Sequence, residues 1–217
     1  MKNDIEFTIL STDVIVFTVD GNNLKVLLTT ASSKAFKNLP TLPGNLVKPQ
    51  EKIEEAVKRV LSGVLKNHVK YSEQLYTFGN PNRDPVGRVV SVAYMVLIPW
   101  KSAEDAIKPK ALWRDVKNLP VLAYDHREMV NTAVKRLASK LTYTNVVNFL
   151  MPEEFTLAEL QNTYELVLGK KLDKRNFRKK ISSLNLLQGL SKKKVGAYRP
   201  AQLFTFKDKK FRELENI

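Results

Sequence analysis

The chain has 217 residues, 43% of them hydrophobic, with 36 Lys and Arg against 22 Asp and Glu, a net charge of +14. That much apolar content excludes a disordered chain, and the excess of positive charge favours an anionic partner such as nucleic acid. The absence of cysteine and the presence of two histidines exclude disulfides, thiolate metal centres and histidine-rich metal sites.

No apolar run approaches the roughly 18–20 residues that would span a bilayer. Asp4 and Glu6 stand where a signal peptide would be basic and then apolar, so the expected location is the cytoplasm, with no membrane partner. Val14–Val19 and Leu24–Thr30 are β-branched-rich runs separated by Gly21-Asn22-Asn23, the chemistry of a hairpin. Pro and Gly mark residues 39–45 as a loop. From Ile53 to Leu65 the apolar positions Ile53, Ala56, Val57, Val60, Leu61, Val64 and Leu65 recur at three- and four-residue spacing, which predicts a helix. Tyr71–Phe78 and Val89–Ile98 read as strands around a turn-rich stretch at 79–85, and a short strand is expected at Ala111–Trp113. Asp125, with Glu128 three residues on, predicts the start of a helix running to Leu141. His126 reads as a helix-start residue, His68 as a surface residue, and Tyr94 and Trp113 as core.

A domain boundary is expected between residues 142 and 143, followed by a second unit. There Thr156 and Glu159 form a capping box ahead of Leu157, Leu160, Tyr164 and Leu168, and Gly169 ends the helix. Asp173 caps the next helix, expected to reach Leu187. A basic turn at 190–200 and a short strand at Gln202–Phe206 follow. Helix, helix and basic hairpin in this order describe a winged helix-turn-helix. From Pro152 onward there are 15 Lys and Arg against 8 acids, so half the net charge lies on less than a third of the chain. On the helix from Asp173, Phe177, Ile181 and Leu184 share one face, while Arg175, Lys179 and Ser182 lie opposite, flanked by Asn176 and Arg178. Arg can pair bidentately with guanine and Asn with adenine, and Lys neutralises phosphate. Lys174, Arg175, Asn176, Arg178, Lys179 and Ser182 are therefore the candidate readers of a double-stranded operator. Lys192, Lys193, Lys194 and Arg199 are candidate phosphate contacts on the wing.

Residues 43–51 and Arg59 resemble the opening of a Nudix box: a glycine, five residues, a glutamate, seven residues, then Arg-Glu, an aliphatic, any residue, and Glu-Glu. The chain keeps Glu51 and Arg59 but has Asn45 for the glycine, Val60 for the first later glutamate, and Gly63 and Val64 for the final pair. In Nudix hydrolases those later glutamates hold the divalent ions; valine has no oxygen with which to bind a hard cation. Together with residues 82–94, 119–126, 155–161, 172–180 and 199–201, the box makes the chain similar to the Nudix-related transcriptional regulators, the NrtR-like family.

The resemblance implies an α+β chain: a Nudix-type α/β/α sandwich with a mixed sheet over residues 1–142, then a winged helix-turn-helix over 143–217. It implies a repressing homodimer without enzymatic activity, cofactor or metal, answering to ADP-ribose, a related NAD metabolite or a sugar. Arg83, Arg88, Asn45, Glu51 and Arg59 are the candidate effector-binding residues. Arg83 and Arg88 flank a Pro-Gly turn, where they could anchor a phosphate or ribose, or where Arg83 could simply pair with Asp84. The alternative reading is an active Nudix hydrolase with relocated metal ligands and an appended nucleic-acid-binding module.

Overall fold

The computed structural model describes residues 7–66, 69–195 and 200–214; the expectations for His68 and Arg199 fall outside them. In chain order the elements are β1 (Ile9–Asp20), β2 (Asn23–Thr30), β3 (Pro40–Thr41), β4 (Gly44–Leu46), α1 (Ile53–Val64), β5 (Tyr71–Phe78), β6 (Val89–Leu97), α2 (Trp100–Ala106), β7 (Leu112–Asp115), α3 (His126–Lys140), α4 (Leu157–Leu168), α5 (Lys174–Ser183), β8 (Leu187–Lys194) and β9 (Ala201–Phe206).

Seven strands form one mixed sheet in the order β3-β2-β1-β6-β5, with β4 on β1 and β7 on β2. β1 and β6 are parallel, and the other pairs are antiparallel. The two central strands are buried on both faces, which explains their continuous apolar runs. Alternation then sorts the side chains between two helical layers. Val14, Val16, Val92, Tyr94 and Val96 pack with Val57, Val60, Leu61 and Val64 of α1. Ile15, Phe17, Ala93, Met95 and Leu97 pack with Met129, Val130, Ala133 and Leu137 of α3. The result is the expected helix–sheet–helix sandwich.

The second core does not stop at the sandwich. It continues through Leu141, Val146, Val147, Phe149, Leu150 and Met151 into Phe155, Leu160 and Tyr164, then Phe177, Ile181 and Phe206. Tyr164 meets Phe177 edge-on at 5.4 Å, which sets α5 against α4. Thr156 Oγ1 accepts from the Glu159 amide while the Glu159 carboxylate accepts from the Thr156 amide, so the capping box closes α4. Gly169, at φ 67°, ends that helix in the left-handed region where glycine meets no Cβ penalty. After β9 the chain folds back along residues 143–145: Asn145 accepts from the Arg212 amide and donates to the Lys210 carbonyl, and Leu214 donates to the Tyr143 carbonyl.

Several elements depart from the sequence reading. β1 reaches back to Ile9, through the buried polar run Ser11-Thr12-Asp13, because Thr12 Oγ1 donates to the Val92 carbonyl at 2.8 Å and so compensates its own burial. The loop at 39–45 contributes two short strands. α2 had no counterpart in the reading; it starts behind Pro99 and buries Ala103. α5 ends at Ser183 rather than Leu187, because Asn185 turns the chain at φ 52°. The tract Lys192–Lys194 consequently lies in strand β8 rather than in a turn.

Candidate functional site

A cleft of about 320 Å³ opens over the β1–β4 end of the sandwich. Among the groups lining it are Ser11 and Asp13 of β1, Thr29 and Thr30 of β2, Thr41, Asn45, Arg83, Asp84, Tyr124 and His126. Its floor is a buried polar cluster. Arg83 donates through Nε and Nη2 to the two carboxylate oxygens of Asp125, each at 2.9 Å, and Nη2 stands 3.6 Å from Asp13 Oδ2. Ser91 Oγ donates to the same Asp13 oxygen at 2.6 Å. The Leu42 amide donates to His126 Nδ1 at 2.9 Å, so the neutral ring carries its proton on Nε2, which faces Asp13 Oδ1 at 3.6 Å. Thr41 Oγ1 lies 2.8 Å from the same Nδ1.

Burial dominates the histidine. Loss of solvent pushes the His126 pKa below its ordinary value, although Asp13 and Asp125 favour the charged ring. The cluster also needs a glycine: a Cβ at Gly44 would come within 1.9 Å of Asp13 Oδ1, and the backbone of β4 approaches β1 there.

Of the five candidate effector residues, Asn45 and Arg83 line this cleft. Arg83 pairs with Asp125, not with Asp84; the Asp84 carboxylate instead accepts from the Val86 amide at 2.9 Å. Asp125 stands at the N-cap of α3, but its side chain is turned to Arg83 and makes no cap hydrogen bond. Arg88 reaches away to the Gly79 carbonyl at 2.6 Å. Glu51 and Arg59 hold each other by two hydrogen bonds of 2.6 and 2.7 Å, and Arg59 also donates to the Leu46 carbonyl, so they brace the cleft's rim from behind. The Arg59 guanidinium holds the Glu51 carboxyl down at about 2. Sequence reasoning missed Asp13, Thr41 and Ser91, and gave Asp125 and His126 only the role of a helix start. The one available signal was a polar triplet opening an otherwise apolar strand.

The box positions do not fit a divalent ion. Val60 and Val64 are buried against the sheet and Gly63 has no side chain. Among the described residues no cluster of three or more His, Asp or Glu could hold a metal. No described helix is long and apolar enough to cross a membrane.

The second site is a basic face. Asp173 Oδ1 caps α5 by accepting from the Asn176 amide at 2.8 Å. Phe177 and Ile181 are buried and Leu184 half-buried, while Lys174, Arg175, Asn176, Arg178, Lys179 and Ser182 are all exposed. The six candidates thus share one accessible helix of the width a major groove admits. β8 and β9 form the adjacent two-stranded wing, and Phe204 of β9 exchanges two backbone hydrogen bonds with Phe155, just ahead of α4.

A sequence profile described as the NrtR DNA-binding winged helix domain matches residues 147–206. The chain is 33% identical over 211 residues to an ADPR responsive transcriptional repressor of Acinetobacter baylyi, covering 94% of this chain and 84% of that one. Its fold is similar to that of Shewanella oneidensis NrtR complexed with a 27mer DNA: TM-score 0.82 and 34% identity, covering 91% of this chain and 93% of that one. The NUDIX domain of the same protein, crystallised with ADP ribose, is 30% identical with a TM-score of 0.53, covering 63% of this chain and 93% of that one.

Proposed function

Because the chain belongs to the NrtR family of transcriptional regulators, we propose that it is a DNA-binding repressor whose Nudix-type domain senses an ADP-ribose-like metabolite or a sugar. The observation that carries the reading is the exposed α5, which buries Phe177 and Ile181 and presents Arg175, Asn176 and Lys179 beside a basic wing. We divide the chain at residues 142 and 143 into sensing and DNA-reading parts. A homodimer placing two reading helices on a palindromic operator follows the geometry of such modules, and a cytoplasmic location accords with action on DNA.

The cleft over Asp13, Arg83 and His126 is the effector site in this reading. Its hydroxyls and carboxylates suit ribose hydroxyls, and its arginine is already committed to Asp125. Hydrolysis is not part of the function, because valines occupy positions where a Nudix hydrolase needs oxygen ligands. A ligand releases DNA only if it binds the DNA-incompetent arrangement more tightly, so effector and operator each weaken the other by one factor. The test is anisotropy on a duplex selected by the protein from a random pool, titrated with ADP-ribose and in parallel with pentoses. Release of the duplex without consumption of the ligand in magnesium buffer is the expected result. Indifference to every ligand, or turnover near one per second, overturns the reading.

A further inference from the structure

The wing's three described lysines are not equivalent. Residues 192 and 194 of a strand project to one face and residue 193 to the other. Lys192 Nζ lies 2.9 Å from Glu154, and Lys194 Nζ lies 2.5 Å from Glu159 Oε1. Glu159 lies in the first turn of α4, and Glu154 lies two residues ahead of its cap, Thr156. Glu159 is occupied twice: Oε2 accepts from Thr156 N and Oγ1 and closes the helix cap, while Oε1 takes the lysine. Burial alone would raise the Glu159 pKa, but Lys194 and the Thr156 hydrogen bonds outweigh it and keep the carboxylate charged. Lys193 stands opposite Gln202 and has no ion pair among the described residues. A register shift between Gly189 and Lys193 precedes this point of the hairpin.

Resting on the reading of the module as DNA-binding, we propose that Lys193 is the wing's phosphate contact, whereas Lys192 and Lys194 are positioning residues that clasp the wing to the start of α4. The clasp links the wing to the helix against which α5 packs, so the wing and the reading helix keep one spacing. A wing with three free lysines would gain more charge on DNA but would hold no fixed angle to the groove.

The test measures binding of the full chain to a labelled random-sequence duplex, about three helical turns long, across a salt series. Each phosphate contact contributes about 0.9 to the slope of log affinity against log salt. Lys193→Ala should flatten the slope by about that amount. Lys192→Ala and Lys194→Ala should leave the slope near the wild-type value. Glu159→Gln retains the cap, since glutamine also serves in a capping box, and should likewise leave the slope unchanged. Flattening by Lys192→Ala or Lys194→Ala equal to that of Lys193→Ala overturns the proposal. So does a slope steepened by Glu159→Gln, because Lys194 would then reach phosphate once released. Arg175→Ala with Lys179→Ala serves as the control. If that pair flattens the slope while Lys193→Ala does not, the wing assignment alone fails; if neither does, the DNA-binding reading fails with it.

Discussion

Arg83 and Asp125, 42 residues apart, meet in a two-point ion pair at the floor of the cleft, and the arginine side chain is only 3% exposed. Removing one partner of such a pair leaves the other charge buried and unsatisfied. Arg83→Ala is expected to cost about 3–5 kcal/mol, and Arg83→Lys should recover only part of this, since an ammonium cannot reproduce the planar fork. Urea unfolding of the three proteins measures it; a loss under about 1 kcal/mol would mean the pair behaves as a surface contact.

Gly44→Ala tests the same cluster from the opposite wall. Its Cβ would lie 1.9 Å from Asp13 Oδ1, so the carboxylate must move and its contacts with Ser91 and His126 must loosen. We expect a loss of about 1–3 kcal/mol together with weakened effector binding and unaltered affinity for DNA. An alanine variant that responds to effector like the wild type would show that Asp13 does not shape the cleft.

On the DNA side, Arg175→Ala should weaken binding to the selected operator by about 1–3 kcal/mol and relax its sequence preference. Random duplex should bind the variant with little change beyond the lost charge. Equal losses on both duplexes would place Arg175 on phosphate rather than on a base edge.

Acid should destabilise the protein before its carboxylates titrate. The native pKa of His126 lies below the unfolded value of about 6.5. Between the two, the unfolded chain binds more protons, so stability falls as pH drops through that window and levels off below the native value. His126→Asn, which can still accept from the Leu42 amide, should remove this component of the slope. Denaturant midpoints measured from neutral pH downward give the comparison, and identical slopes would assign the effect elsewhere. The Glu51–Arg59 pair acts only lower, between the ordinary carboxylate value and about 2.

The amphipathic spacing of α1, the caps at Thr156 and Asp173, and the glycine stop at Gly169 were legible because each is written in neighbouring residues. The buried valines of α1 were legible too, since the stripe that packs a helix also shows which positions have lost a polar role. The cleft floor was not. Asp13, Arg83, Ser91, Asp125 and His126 come from β1, the turn after β5, β6 and the start of α3; the parallel pairing of β1 with β6 brings Ser91 beside Asp13, and the others reach the floor from elements far apart in sequence. Arg83 therefore looked like a partner for its neighbour Asp84. The wing lysines were misplaced into a turn because a strand so exposed, with β9 as its one described partner, carries no apolar alternation to announce it.

The apolar core that passes unbroken from the sheet through Leu150 and Phe155 to Phe177 and Phe206 bears on how the halves fail under heat. Elements that share one core lose it together, so the sensing and reading parts should melt in a single transition rather than two. A metabolite seated at His126 would then raise the melting temperature of the wing and of α5 as much as that of the sheet, although it touches neither. Thermal protection of the DNA-reading helix thus becomes a gauge of occupancy in a cleft at the other end of the chain.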